Sequence, residues 1–142
     1  MLEPSELNHG QLEQSLWQKV MVLYLTQLGH QPSKLSCQVA DKTLTIIIED
    51  SITRPEQLLA NSGNQELAKQ VRSNIHQALE PHLKSLIEEV VKIPVIDLLN
   101  DSTFETGRTS IVAILATAVE EGNPPLQEQL KQQTVSDRDS DE

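Results

Sequence analysis

Residues 100–110 concentrate the side chains of this 142-residue chain that are best suited to hold a ligand. The guanidinium group of Arg108 offers a planar set of N–H donors that matches a carboxylate, a phosphate or bicarbonate. Arg54 follows the second apolar strand, and we expect it on the same rim as Arg108. The types and positions of these residues predict a small-anion site formed by Arg108, Asp101, Ser102, Thr103, Thr106 and Arg54.

Two other interpretations of residues 100–109 stay open. In the first, the segment is only the turn of a β-hairpin, in which Gly107 takes a positive φ and Arg108 pairs with a nearby acid. The nearby acids are Asp97, Asp101 and Glu105. In the second, the protein is an enzyme acting on a small anionic substrate at this loop, with Asp97 or Asp101 as the base. We favour the hairpin turn, although exposed loops commonly carry function.

The remaining candidates for chemistry give no recognisable site. The four histidines show no zinc-ligand spacing with one another or with Cys37, and Cys37 has no neighbouring base. The chain has five glycines and lacks the glycine-rich motifs that bind phosphates, and it lacks G-x-S-x-G. We therefore predict no catalytic residue, no metal ion and no cofactor. The histidines are His9, His30, His76 and His82.

Charge and hydropathy restrict the partners. A formal charge of −10 argues against nucleic acid, which needs clustered Lys and Arg. No apolar run approaches the roughly 20 residues of a membrane span, and no secretory signal is visible, so we expect a cytoplasmic protein without direct membrane insertion. Half of the net charge lies in residues 120–142, which we expect to form an acidic, disordered tail.

The periodicity of apolar residues predicts an α+β domain of order α-β-β-α-α-β-β. A helix ends at Gly29, two strands surround the turn at residues 40–43, and a Thr53–Glu56 capping box begins a short helix. A longer helix follows, with a kink or break expected before Pro81, and two further strands flank residues 100–109. Two hairpins joined by helices most simply form a mainly antiparallel four-stranded sheet with helices on one face.

The predicted domain spans residues 10–119, after a flexible leader at residues 1–9. Its last strand carries apolar side chains on both faces, with Ile111 and Val112 adjacent and Ile114 and Leu115 adjacent. A strand that is apolar on both sides is buried on both sides. We therefore predict a homodimer that covers the second face of the sheet.

Four segments of the chain, taken together, resemble the MpsC-like family, which includes the YbcI proteins and was formerly catalogued as a bacterial domain of unknown function. They are G-H-Q-P-S-K-L, E-D-S-I-T-R-P-E-Q-L-L, V-R-S-N-I-H-Q-A-L-E-P-H-L and I-P-V-I-D-L-L-N-D-S-T-F-E-T-G-R-T. The resemblance covers residues 11–119. It implies a small accessory or regulatory protein associated with a membrane transport system for cations or inorganic carbon, and it supplies no catalytic residues.

The sequence therefore leads to one expectation and one alternative. We expect a non-enzymatic accessory or regulatory protein that acts through protein contacts and senses a small anion. The alternative is the enzyme acting on a small anionic substrate at residues 100–109.

Overall fold

Seven elements follow one another in the predicted order α-β-β-α-α-β-β. A computed structural model describes residues 8–119, and the predicted leader, except for Asn8 and His9, and the predicted acidic tail lie outside this range. The elements are α1 (His9–Leu28), β1 (Lys34–Ala40), β2 (Thr43–Glu49), α2 (Arg54–Asn61), α3 (Gln65–Val91), β3 (Val95–Thr103) and β4 (Arg108–Leu115).

The four strands form one antiparallel sheet of order β1-β2-β4-β3, which the sequence left undetermined. Each hairpin pairs its own strands, and β2 joins β4 at the centre, so β1 and β3 are the edges. Alternate residues of β2 and β4 are buried against the helices, including Ile46 and Ile111. The predicted α+β fold with helices on one face is confirmed.

Local sequence signals account for the ends of the first two helices. Asn8 caps α1 in a reciprocal capping box with Gln11, and Gly29 ends it at a φ of 61°. The predicted capping box of α2 is present, since the backbone amide of Thr53 donates to Glu56 Oε2 at 3.1 Å. These caps fix where the chain enters and leaves the layer of helices.

The predicted break in α3 before Pro81 is absent. The helix continues through Pro81 without a break, and both Gln77 and Pro81 are exposed, so the missing hydrogen bond lies on the solvent side. The buried stripe of α3 begins with Ala68 and Arg72, whereas Leu67 is exposed. Arg72 occupies that stripe because its charge is satisfied inside the protein, as described below.

The second hairpin is longer than expected and its turn is shorter. Residues 100–103 belong to β3, and β4 begins at Arg108, so only residues 104–107 form the turn. Gly107 takes the predicted positive φ, at 75°, and its amide donates to the carbonyl of Thr103. β4 ends at Leu115.

Within residues 8–119, no helix is both long and apolar enough to cross a membrane. This finding concerns α1 and α3 above all, since they are the two long helices. Both carry polar residues on the side that faces away from the sheet, such as Gln18 and Lys84.

The end of α3 gives a test of local backbone strain. Lys92 caps this helix at a φ of 60°, where a side chain costs energy and glycine does not. We expect Lys92→Gly to raise the free energy of unfolding by about 0.5–1 kcal/mol in urea denaturation. The matched control Lys84→Gly, inside the same helix, should lower it by about 1 kcal/mol. Equal effects of both changes would contradict this explanation.

Candidate functional site

The second hairpin distributes the predicted site residues over two environments. Ser102 pairs across the strands with Thr109, which is buried on the helix side of the sheet. Thr103 pairs with Arg108, which is exposed on the opposite side. Side chains alternate along a strand, so the extension of β3 through residue 103 separates groups that a flexible loop would have brought together.

Arg108 is engaged by an acid that the sequence analysis did not consider. Its Nε lies 2.8 Å and 3.0 Å from the two carboxylate oxygens of Glu49, at the end of β2. The expected pairing with Asp97, Asp101 or Glu105 was therefore wrong, because β2 and not β3 supplies the carboxylate nearest to Arg108. An anion that binds at Nε must displace Glu49.

The other predicted ligand residues make local contacts at the same end of the sheet. Asp101 accepts a hydrogen bond from the amide of Ser102 at 2.9 Å, and the hydroxyls of Thr103 and Thr106 bond to each other. Arg54 is exposed in the first turn of α2. Anion binding by these residues stays a prediction.

A buried ion pair lies beneath this end of the sheet. Arg72 Nε donates to Glu56 Oε1 at 2.6 Å, and Nη2 donates to Glu56 Oε2 at 2.7 Å. The residues are only 4% and 1% exposed, respectively. Arg72 Nη2 also donates to the carbonyl of Ser51, whereas its buried Nη1 has no partner among the described residues. Three elements, namely α2, α3 and the end of β2, are thus joined at one guanidinium group.

A chain of hydrogen bonds connects α3 to the hairpin turn. Ser51 Oγ donates to the carbonyl of Gly107 at 2.8 Å and lies 2.6 Å from Thr109 Oγ1. Ser102 Oγ lies 2.6 Å from Thr109 Oγ1 and 2.9 Å from His76 Nε2. Each hydroxyl has one hydrogen, so Thr109 donates to Ser51, Ser102 donates to Thr109, and His76 Nε2–H donates to Ser102. Because the carbonyl of Gly107 can only accept, it fixes the direction of every hydrogen bond in this chain. His76 therefore carries its hydrogen on Nε2.

The titratable groups inside the domain are shifted in directions that follow from burial. Burial lowers the pKa of His76, and the positive charge of Arg72 lowers it further, so the imidazole is neutral at pH 7. Burial raises the pKa of Tyr24, although Arg72 opposes this shift. Burial, and secondarily Glu13, raises the pKa of Cys37 to about 12, which makes the thiol unreactive as the sequence indicated.

A cavity of about 690 Å³ lies between α3 and the second hairpin. Its walls include Arg72 and His76 from the helix, and Asp101 and Ser102 from β3. Arg108 and Arg54 do not line it. The predicted site residues thus fall into a group at this cavity and a group outside it.

Comparison with known proteins identifies the family. The family model described as "Na+-translocating membrane potential-generating system (MpsC)" matches residues 8–117. The chain belongs to the MpsC family. A search of curated proteins gave no match, and a search of solved structures gave none. The match begins at the residue that caps α1 and ends two residues past β4, so this MpsC domain coincides with the folded unit described above.

The sequence analysis missed the most buried polar residues of the MpsC domain. It identified Glu56 only as a helix cap and did not single out Arg72. A signal for Arg72 was present, since Arg72 lies four residues after Ala68 and seven before Leu79, on the buried stripe of α3. A cation on the apolar side of a helix requires a buried partner.

The face of the MpsC sheet opposite the helices has an apolar centre. Ile47, Val112 and Ile114 are half-buried there, and Leu99 on the neighbouring strand is 55% exposed. Ile96, at a bulge in β3, is 65% exposed. We call this surface, formed by Ile47, Leu99, Val112 and Ile114, the open face. No described element covers it.

No group of three or more His, Cys, Asp or Glu side chains is arranged to hold a metal ion within residues 8–119. The possible donors around the cavity, such as His76 and Asp101, come without a third ligand of these types at metal distance.

The buried ion pair gives a prediction about stability. We expect Arg72→Met to lower the free energy of unfolding by about 3–5 kcal/mol, because Glu56 is left charged inside the protein. The double variant Arg72→Met/Glu56→Gln should recover part of this loss, since the uncompensated charge is gone. Arg108→Met, which breaks an exposed pair, should cost at most about 1 kcal/mol. Urea denaturation measures these variants together with the single variant Glu56→Gln, and additive effects of the two single changes at Arg72 and Glu56 would contradict the coupling.

The predicted anion site gives a second prediction. If Arg108 binds an anion through the atoms now held by Glu49, Glu49→Gln should increase the thermal shift caused by bicarbonate or phosphate. Arg108→Ala should abolish the shift. A shift that is the same in wild type and in both variants would place anion binding elsewhere.

Proposed function

We propose that this MpsC family member is a non-enzymatic accessory or regulatory protein of a cation-translocating membrane system, and that it acts in the cytoplasm through protein contacts. The observation that carries the proposal is the family match, which extends over nearly the whole described domain. The description of the family names a sodium-translocating system that generates a membrane potential. In its wider form, the proposal includes a membrane system that transports inorganic carbon.

The open face supports an assembly role. Its apolar centre is flanked at one end by the Glu49–Arg108 ion pair and by Lys34, which is the pattern of an apolar patch with a charged rim. Exposed apolar patches of this kind mark protein contacts more often than isolated exposed residues do. We propose that a second copy of the chain covers the open face and forms a homodimer.

The charge of the chain is consistent with a partner in the membrane. Cytoplasmic loops of membrane proteins carry an excess of Lys and Arg. A chain with a formal charge of −10 is attracted to such loops and repelled by an anionic lipid surface. The proposal is therefore of contact with a membrane protein, without insertion into the bilayer.

The dimer is tested by light scattering coupled to gel filtration. We expect a mass of about twice the 15.8 kDa of one chain for the wild type. Val112→Glu, at the centre of the open face, should reduce the mass to that of one chain, because a buried carboxylate is costly. Gln70→Glu, at an exposed position of α3 on the other side of the sheet, should not change it. A wild-type mass of one chain would contradict the dimer.

The accessory role is tested in cells that carry the transport system but lack this protein. In these cells we expect a lower sodium-dependent membrane potential, measured with a potential-sensitive dye, than in cells that contain the protein. Expression of the wild-type protein should restore the potential. It should also return with Arg108→Ala, because that residue performs no catalysis in this proposal. Loss of rescue in Arg108→Ala, with an unchanged melting temperature and a measurable turnover in wild type, would favour the enzyme instead.

A further inference from the structure

The outer edge of β3 is open for part of its length. β3 is an edge strand of nine residues, and its register with β4 is regular from residue 97 to residue 103. At one end the amide of Val95 is held by Glu88 Oε2 at 2.8 Å, and at the other the amide of Ser102 is held by Asp101. Amide directions alternate along a strand, so Leu98 and Asn100 direct their amides to the same free edge as Ser102.

The cavity follows this edge. Asn100, Asp101, Ser102 and Thr103 all line it. Consecutive strand residues point to opposite faces of the sheet, so a cavity that contacts four in a row runs alongside the strand and not over one face. α3 forms the opposite wall and leads into β3 through residues 92–94, so it runs antiparallel to the strand. The cavity is therefore a groove between the edge strand β3 and the helix α3.

The groove has a defined electrostatic character. Its walls carry the carboxylates of Glu80, Asp101 and Glu105 against the ammonium group of Lys69. Arg72 also lines the groove, but Glu56 compensates its charge. Three carboxylates against one uncompensated cation favour a positively charged occupant.

We propose that an extended peptide segment rich in Lys or Arg, belonging to a partner protein, binds in this groove by adding a strand to the edge of β3. Strand addition satisfies the edge amides and carbonyls through the main chain, and the side chains of the segment supply the charge match. The proposal rests on the accessory function, since soluble loops of a membrane partner carry the required cations.

Two other occupants fit the charges less well. Residues 120–142 contain seven carboxylate side chains against Lys131 and Arg138, so they repel the groove. A second copy that pairs its β3 with this β3 brings Asp97 and Asp101 close to the same residues of the other strand, and like charges across strands are destabilising. The homodimer contact proposed above uses the open face and leaves this edge available.

The experiment begins with a library of random decapeptides displayed on phage and selected on the full-length immobilised chain. We expect enrichment of Lys or Arg together with β-branched residues. The enriched peptide is then synthesised, and its Kd is measured by fluorescence anisotropy at two salt concentrations. In a modified form of this peptide, the alternate backbone nitrogens that face β3 are methylated. This change should weaken binding at least about tenfold, because it removes the hydrogen bonds to β3 and keeps every side chain of the peptide.

Charge variants and hydrogen exchange locate the binding site. Asp101→Asn/Glu105→Gln should weaken binding several-fold and flatten its salt dependence, whereas the matched control Asp97→Asn, which lies outside the groove, should not. The peptide should slow amide exchange in residues 98–102. Failure to enrich any basic peptide, indifference to N-methylation, or protection at β1 or at the open face would each overturn the proposal.

A final comparison separates this proposal from the accessory function. The variant Asp101→Asn/Glu105→Gln is returned to the cells that lack the protein. Loss of rescue together with loss of peptide binding supports the groove as the partner site. Full rescue by a variant that no longer binds the peptide overturns the groove and leaves the accessory function standing.

Discussion

The arrangement of this domain depends on the buried pair of Arg72 and Glu56. A charged pair taken out of water is costly unless both partners find further hydrogen bonds, and here they do. Glu56 also accepts from Thr53 at the start of α2, and Arg72 also donates to the carbonyl of Ser51. The pair thus fixes the direction of α2, the N-terminal half of α3 and the exit of β2 together. Aliphatic packing alone does not specify these angles, because apolar contacts have no direction.

The second constraint is the strict alternation of side chains along β3 and β4. It places Ser102 and Thr109 inside, in contact with His76, and Arg108 outside, in contact with Glu49. The inward groups form an ordered chain of hydrogen bonds, whereas the outward groups sit on the rim of an apolar surface. One hairpin thereby contributes to two surfaces of different character, a polar groove along its edge and the open face across its centre.

The sequence predicted correctly those features that are determined by residues close together in the chain. The order of elements, the Thr53–Glu56 capping box and the positive φ of Gly107 all follow from near neighbours in the chain. It failed where the outcome depends on distant residues. The partner of Arg108 is 59 positions away and that of Arg72 is 16, and neither pairing has a signature in spacing. The length of β3 was underestimated because Asn, Asp and Ser favour turns.

The carbonyl of Gly107 accepts from both the amide and the hydroxyl of Ser51. This single acceptor joins the tip of one ribbon to the exit of the other, across 56 positions of the chain. The tip of the second ribbon and the exit of the first therefore cannot separate without freeing both donors at once. Ser51 would still be held through its carbonyl by Arg72, so the segment that leads into α2 stays anchored to α3 when the tip of the second ribbon opens.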